Sequence, residues 1–286
     1  GTKVVGATGA DYLVITRGSK IFAEGTVSAP IVFTTANASS TARGQWGGLI
    51  INGNAPINKP GGQSEGEGRT GFYGGNDFAD NSGVLKYVRV EFAGFEITPD
   101  NELNGIAFQG VGNGTVVDYI QVHKNADDGV EFFGGTVDVK HLYLTGNKDD
   151  SMDWTDGWVG RAQFIVVDQF NDQANNGIEA DSSKIIDATP RSNPILSNMT
   201  FVGVNSGSAK GGSALLLRRG TGAEIYNSIF TGFRNGCIDI DDKQTADADM
   251  IIFENNIVSC DRNFEAEGDE SWSCLLYTSD AADEED

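Results

Sequence analysis

Carboxylates recur along this chain at matching offsets. Asp127 and Asp128 precede Gly129, and Asp149 and Asp150 precede Ser151. Glu131, Asp153 and Glu179 each follow a small residue (Gly129, Ser151, Gly177) by two positions, and Asp181 follows Gly177 by four. Asp239 and Asp241 repeat those two offsets from Cys237. If these segments stack as parallel strands, equivalent positions lie about 4.8 Å apart. Like charges at that spacing repel, so a cation, raised carboxylate pKa values or solvent must compensate. An all-oxygen set suits calcium, which takes six to eight oxygen ligands, and argues against a soft metal. Calcium on Asp127, Asp128, Glu131, Asp149, Asp150, Asp153, Glu179 and Asp181 is therefore one expectation. Asp and Asn before Gly are also ordinary turn formers, so turns and solvated charge are the competing reading of the same residues.

Such a row exists only if the chain repeats, and it does. Asn104-Gly-Ile-Ala-Phe108, Asp128-Gly-Val-Glu-Phe132, Asp150-Ser-Met-Asp-Trp154 and Asn176-Gly-Ile-Glu-Ala180 share one pattern, with small anchors 24, 22 and 26 residues apart. The 60 residues from Gly177 to Cys237 leave room for a further rung near Ser213 plus an insertion. Asp118–Asp128 aligns on Lys140–Asp150 without gaps at an offset of 22. Asn198, Asn227 and Asn255, at intervals of 29 and 28, each precede an apolar residue by three. A period of 22–29 with short β-rich runs and Gly or Asn turns predicts an all-β fold, a single-stranded parallel β-helix. Alternation then predicts Ile106, Val130, Met152 and Ile178 as an inward column, joined by Phe108, Phe132 and Trp154 two residues on. The three Asn are expected to stack as an amide ladder. Leucine-rich repeats share the period, but no LxxLxLxxN run occurs, and no 10–12-residue helical periodicity appears outside the tail.

Segments 12–15, 19–23 and 30–34 read as three short strands, and 46–53 as the strand of the next coil. Residues 53–83 carry nine Gly and no period, which predicts a long loop projecting from the coil. Smaller insertions are expected at 182–193 and 205–212. The apolar pattern resumes after each, so residues 1–273 read as one domain. The tail 274–286 breaks the pattern, and Cys274–Glu284 resembles a translated sequencing adapter of the kind left on metagenomic reading frames. It is read as non-native or disordered. Neither end shows a clear capping coil, so further sequence is expected at both.

Composition narrows the function. The chain has 286 residues with 20 Lys and Arg against 41 Asp and Glu, a net charge of −21, which argues against a nucleic-acid partner. The 39% hydrophobic content supports a core, and no window approaches the ~18 apolar residues of a membrane span. Three Cys without a CxxC pair exclude a disulfide scaffold and the common zinc modules, and Cys237 reads as a buried small-position thiol. His123 and His141, the only two His, occupy different columns, which disfavours zinc or a Ser–His pair. Gly110-Val-Gly-Asn-Gly114 has the wrong spacing for a dinucleotide loop. Trp46 and Trp158 sit beside Gly turns and are candidate ligand-binding platforms for sugar rings, against the alternative of wedging between coils.

Three strings carry a family resemblance: Gln45-Trp-Gly-Gly-Leu-Ile-Ile-Asn-Gly-Asn-Ala-Pro-Ile-Asn58, Asp128-Gly-Val-Glu-Phe-Phe-Gly-Gly-Thr-Val137 with Lys140-His141, and Asp149-Asp-Ser-Met-Asp-Trp154. They resemble bacterial surface-exposed β-helix proteins of the outer-membrane lipoprotein type, with a spirochaete member, over residues 1–273. The resemblance implies a pectin-lyase-like solenoid on the surface of a Gram-negative bacterium, and it supplies no catalytic residue to carry over. A lipid-attachment cysteine would lie before Gly1. The expected partner is a polysaccharide or another cell-surface component. The spacing Asn125-Ala-Asp-Asp-Gly129 with Asp149-Asp-Ser151 also resembles the acid cluster of β-helix polygalacturonases. That resemblance makes Asp128, Asp149 and Asp150 the alternative catalytic set, acting as general acid and base. The family's Gly-His-Gly and Arg-x-Lys segments are missing here. The β-helix pectate lyases use calcium with an Arg base, and Arg218-Arg219 is the paired candidate, read as lying on a later coil than the acids. A non-catalytic binding protein is the favoured reading, and a polysaccharide hydrolase or lyase the alternative.

Overall fold

A computed structural model describes residues 1–98, 101–185, 187–204 and 212–265. Successive coils stack in parallel, so each sheet takes one strand from each coil. The front sheet has eight strands in chain order: Tyr12–Ile15, Gly48–Asn52, Ile106–Gln109, Val130–Phe133, Met152–Thr155, Ile178–Asp181, Ser213–Arg218 and Gly236–Ile240. The anchors are small because the next coil passes directly over them. A Cβ at Gly105 would approach Gly129 O to 2.5 Å, and one at Gly129 would approach Ser151 O to 2.5 Å.

Register places Leu49, Ile106, Val130, Met152, Ile178, Leu215 and Ile238 in one column, every one fully buried. Ile51, Phe108, Phe132, Trp154, Ala180, Leu217 and Ile240 form the second inward column. The rung expected near Ser213 is present as Ser213–Arg218. One apolar cluster runs from Ala23 to Ile240, with Phe264 packed against it. Each large side chain buried there contributes about 1.5–3 kcal/mol.

Trp158 is part of this core. It is 0% exposed, its ring stacks on Phe132 at 4.1 Å, and Nε1 donates to Val137 O. Trp46 is 3% exposed and donates to Glu91 O. The expectation that they are sugar platforms is therefore corrected: both wedge between coils, where aromatic area is best spent and the indole N–H still finds a carbonyl.

The back sheet is built from long strands, among them Gly83–Glu91, Val116–His123, Val139–Thr145, Arg161–Asp168 and Ile195–Val202. Each crosses a corner at one left-handed residue: Tyr87 (φ 51°), Tyr119 (55°), His141 (52°), Phe164 (62°) and Asn198 (57°). Asn227 (52°) and Asn255 (57°) make the corner in the last coils. Before the corner, Gly83–Glu91 pairs with Ile21–Glu24, and after it with Ile31–Thr35. Register aligns the three Asn in one column, but the expectation of an amide ladder is corrected: among the described residues no side-chain bond joins one Asn to the next. What they share is the left-handed corner, which Asn tolerates better than other side chains, and the bond to Asn198 Oδ1 comes from Gln163.

Residues 53–83 depart from expectation. They fold back over the outer side of the front sheet instead of projecting. Ile50, Ala107 and Phe133 point outward there and pack with Ile57, Tyr73 and Leu103 in a second cluster. The short antiparallel pair Ser64–Glu65 and Phe72–Tyr73 closes the flap, and Asn52 Nδ2 holds Thr70 O at 3.0 Å. No period is visible in this stretch because the flap is packed by a few long-range apolar contacts. Asn58 Nδ2 reaches across to Ser182 O and Pro190 O, fastening the 182–193 insertion.

Cys237 occupies the small anchor position but forms a disulfide with Cys260, which corrects the reading of an inert thiol. The two are 23 residues apart, close to one coil period, and their Cα atoms lie 5.7 Å apart. Residues 205–211 of the second insertion and the tail 274–286 lie outside the described residues.

Candidate functional site

The outer face of the front sheet changes character along the helix axis. Register gives one outward column: Val14, Ile50, Ala107, Glu131, Asp153, Glu179, Leu216, Asp239. The flap covers the apolar start of this column. Where the cover ends, three successive coils present carboxylates at the ~4.8 Å strand spacing. Leu216, on the rung hidden by the insertion, separates Asp239 from this row.

Asp128 and Asp150 come from the turns before the anchors, and each spends one oxygen on the coil beyond. Asp128 Oδ1 accepts from the Asp150 N–H at 3.0 Å, and Asp150 Oδ1 accepts from the Asn176 N–H at 2.7 Å. Asn176 Oδ1 continues the series to the Ser213 N–H at 2.9 Å. The turn-forming reading therefore describes one oxygen of each Asp. Asp128 also groups with Glu131 and Asp153, and Asp150 with Asp153 and Glu179, ligand oxygens within 4.8 Å of one another in each trio. Asp149 Oδ1 accepts from Asn175 Nδ2. Asp127 and Asp149 lie outside both trios and act on the row through charge.

The far end of the row carries its own cations. Arg218 binds Glu179 through Nη2 and Asp181 through Nε at 2.8 Å, and Arg219 Nη1 also binds Asp181. Register pairs Asp181 directly with Arg218, so the arginines lie on the coil after Glu179 and Asp181, a later coil than the acids, as expected from the sequence. Glu179 and Asp181 are thus neutralised by side chains. At the near end no ion pair reaches Asp128, Glu131 or Asp153 among the described residues: Arg218 acts on Asp153 only through charge, and Asp153 Oδ1 is shielded from solvent without a hydrogen-bond partner.

Burial raises the pKa of Asp128, Glu131, Asp150 and Asp153 well above the ordinary carboxylate range, and the neighbouring carboxylates add to it. Glu179 is raised by burial, with Arg218 pulling it back. Glu67, brought over the row by the flap, is pushed up to about 8 by burial and then by Asp127, Glu102 and Asp156. Asn104 Nδ2 donates to Glu131 Oε2. Tyr73 OH donates to Asp156 Oδ2 at 3.1 Å, and Lys59 pairs with Asp156 at 2.9 Å. Sequence reasoning missed Glu67, Asn104 and Asp156 as neighbours of the row. Asn104 sits at the turn position of its own repeat and could have been aligned with Asp128; Glu67 carries no periodic signal.

The trio Asp128, Glu131 and Asp153 fits a hard divalent cation: its donors are all oxygen, and the orphaned Asp153 Oδ1 needs a positive partner. The two His do not converge. His123 bonds Thr145 at 2.7 Å, its aligned neighbour, and His141 bonds Asp118 at 2.8 Å.

The model of the pectate-lyase-like β-helix domain family matches residues 1–271, and the chain belongs to that family. Searches of curated proteins and of solved structures returned no match.

Proposed function

We propose that this is a non-catalytic binding protein of the bacterial cell surface, whose β-helix holds a glycan or another surface component and whose acidic row is braced by calcium. The observation that carries the calcium is the near end of the row, where Asp128, Glu131 and Asp153 converge with no ion-paired Lys or Arg among the described residues and Asp153 Oδ1 is unpartnered. Bound calcium would supply the positive charge that Arg218 supplies to Glu179 and Asp181. Binding is favoured over catalysis because Asp128 and Asp150 are engaged by backbone N–H groups of the next coil. The lipoprotein-type resemblance of the three sequence motifs is what supports a surface location.

A thermal melt in EDTA, then in millimolar calcium with magnesium as control, tests the brace. At a hundredfold excess over its dissociation constant, calcium should add about 2.7 kcal/mol; no calcium-selective rise in Tm removes calcium from the reading. One observation favours a second reading, a polysaccharide hydrolase or lyase: burial raises the pKa of Glu131 and Asp153, so each keeps a proton more readily than an ordinary carboxylate, as a general acid must. Reducing ends or unsaturated products from a polysaccharide panel, abolished by Asp150→Asn, would replace the binding reading with this one.

A further inference from the structure

The back-sheet corner carries a second feature, away from the acidic row. Four consecutive coils place a ring at the left-handed position. Tyr87 stacks on Tyr119 at 4.5 Å, Tyr119 on His141 at 4.1 Å, and His141 on Phe164 at 5.0 Å. The last three coils use Asn at the same corner. Asn meets the conformational demand more easily, so the rings are not there to make the turn. Strained backbone that persists over four coils points to a use for what it displays.

What it displays is a groove of about 650 Å³ running along the stack, within the usual range for small-molecule and sugar sites. Its floor is the next outward column, in which Gln121, Tyr143, Val166 and Thr200 are aligned by register, and Val27 of the Gly25–Pro30 turn forms a lip at one end. Tyr119, Tyr143 and Phe164 are each at least 40% exposed.

The charge in and around the groove is balanced. None of the residues lining it is Asp or Glu, in a chain of net charge −21. Its Arg89 is paired with Glu91 at 2.9 Å, and the adjoining Lys86 and His141 are both paired with Asp118. Among the described residues, a polyanion would find no free cation there, and a polycation no free acid. Ring edges, phenol hydroxyls, the Gln121 amide and His141 Nε2 suit a ligand with alternating C–H faces and hydroxyl groups. A linear polymer laid along the axis would meet one ring edge and one floor residue every ~4.8 Å.

We infer that this corner groove is the binding site for a neutral, linear saccharide chain, distinct from the acidic row. The inference rests on the glycan-binding reading above and names its site and ligand class. The test uses the full chain and its retention in affinity gels containing xylan, mannan, cellulose derivative or laminarin, with polygalacturonate as the charged comparison. Titration with the hexasaccharide of whichever polymer retains the chain then gives Kd. Phe164→Asn, which installs the residue used by later coils, and the surface change Tyr143→Ala should each weaken Kd at least tenfold. Phe78→Ala, an exposed ring outside the groove, should leave it unchanged. Melts of each variant establish that it is folded. Wild-type Kd in both groove variants, with loss in Asp153→Asn, would move the glycan to the acidic row, overturning this site but keeping the functional reading. Retention by polygalacturonate alone would overturn the neutral ligand. No retention of the wild type by any polymer would overturn both readings.

Discussion

The acidic row and the aromatic corner are built by the same device and have opposite energetics. Each repeats one side-chain type down a column at the spacing of parallel strands. Along Glu131, Asp153 and Glu179 that repetition brings like charges together under partial cover, and the molecule answers with the Arg218 ion pairs at one end and, among the described residues, with no ion pair at the other. Along Tyr87, Tyr119, His141 and Phe164 the repetition is attractive, ring on ring, and the cost lies in the left-handed backbone. A solenoid thus amplifies whatever a single position contributes. Charge repeated this way calls for a counter-charge, which Arg218 supplies at one end, whereas stacked rings complete themselves and leave their edges exposed.

Breaking the compensated end of the row should have the largest effect. Arg218→Ala leaves Glu179 and Asp181 without their main partner, and chemical denaturation should show a loss of about 3 kcal/mol, the low end for breaking a buried pair because Arg218 keeps some exposure. The uncompensated end should respond to pH. Glu67 has a folded-state pKa of about 8 against 4.5 for the ordinary group. The folded state therefore holds its proton more tightly, and the stability this gives is full below pH 4.5 and lost as pH rises towards 8. Melts in EDTA should show Tm falling across that window, and calcium should flatten the profile. A Tm that rises over the same interval in EDTA would sink the electrostatic account.

Glu131→Gln separates the two answers to repulsion. In EDTA it should raise stability by up to about 1 kcal/mol, the range for like charges directly opposed on a sheet, and in calcium it should lower Tm. A rise under both conditions would leave bare repulsion and no cation. The smallest effect is expected at the corner. Phe164→Asn gives up the single stack on His141, worth about 0.5–1.5 kcal/mol, while relieving left-handed strain of about 1 kcal/mol, so stability should change by no more than about 0.5 kcal/mol. A loss of several kcal/mol there would make the rings structural.

Much of the site was legible because a parallel β-helix converts sequence offset into spatial neighbourhood. The anchors Gly105, Gly129, Ser151 and Gly177 gave the inward columns and the order Glu131, Asp153, Glu179, and the offset of 22 gave the His123–Thr145 pairing. Wherever an insertion interrupts the count, that conversion fails. The insertion at 205–212 blurs the register of the rung after it: the sequence puts Arg218 on a later coil without pairing it to Asp181, and Leu216 went unnoticed as the break in the acidic column.

By itself, then, the sequence determined the period, the strands that stack and the side chains that share a column, because these depend on local alternation and on small residues at fixed intervals. Tertiary structure alone decided that the Gly-rich stretch 53–83 becomes a flap placing Glu67 over the acids, that Trp46 and Trp158 turn inward, that Cys237 meets Cys260, and that four rings at one corner border a groove. Each of these depends on contacts between segments with no common repeat, whose distance along the chain says nothing about their distance in space.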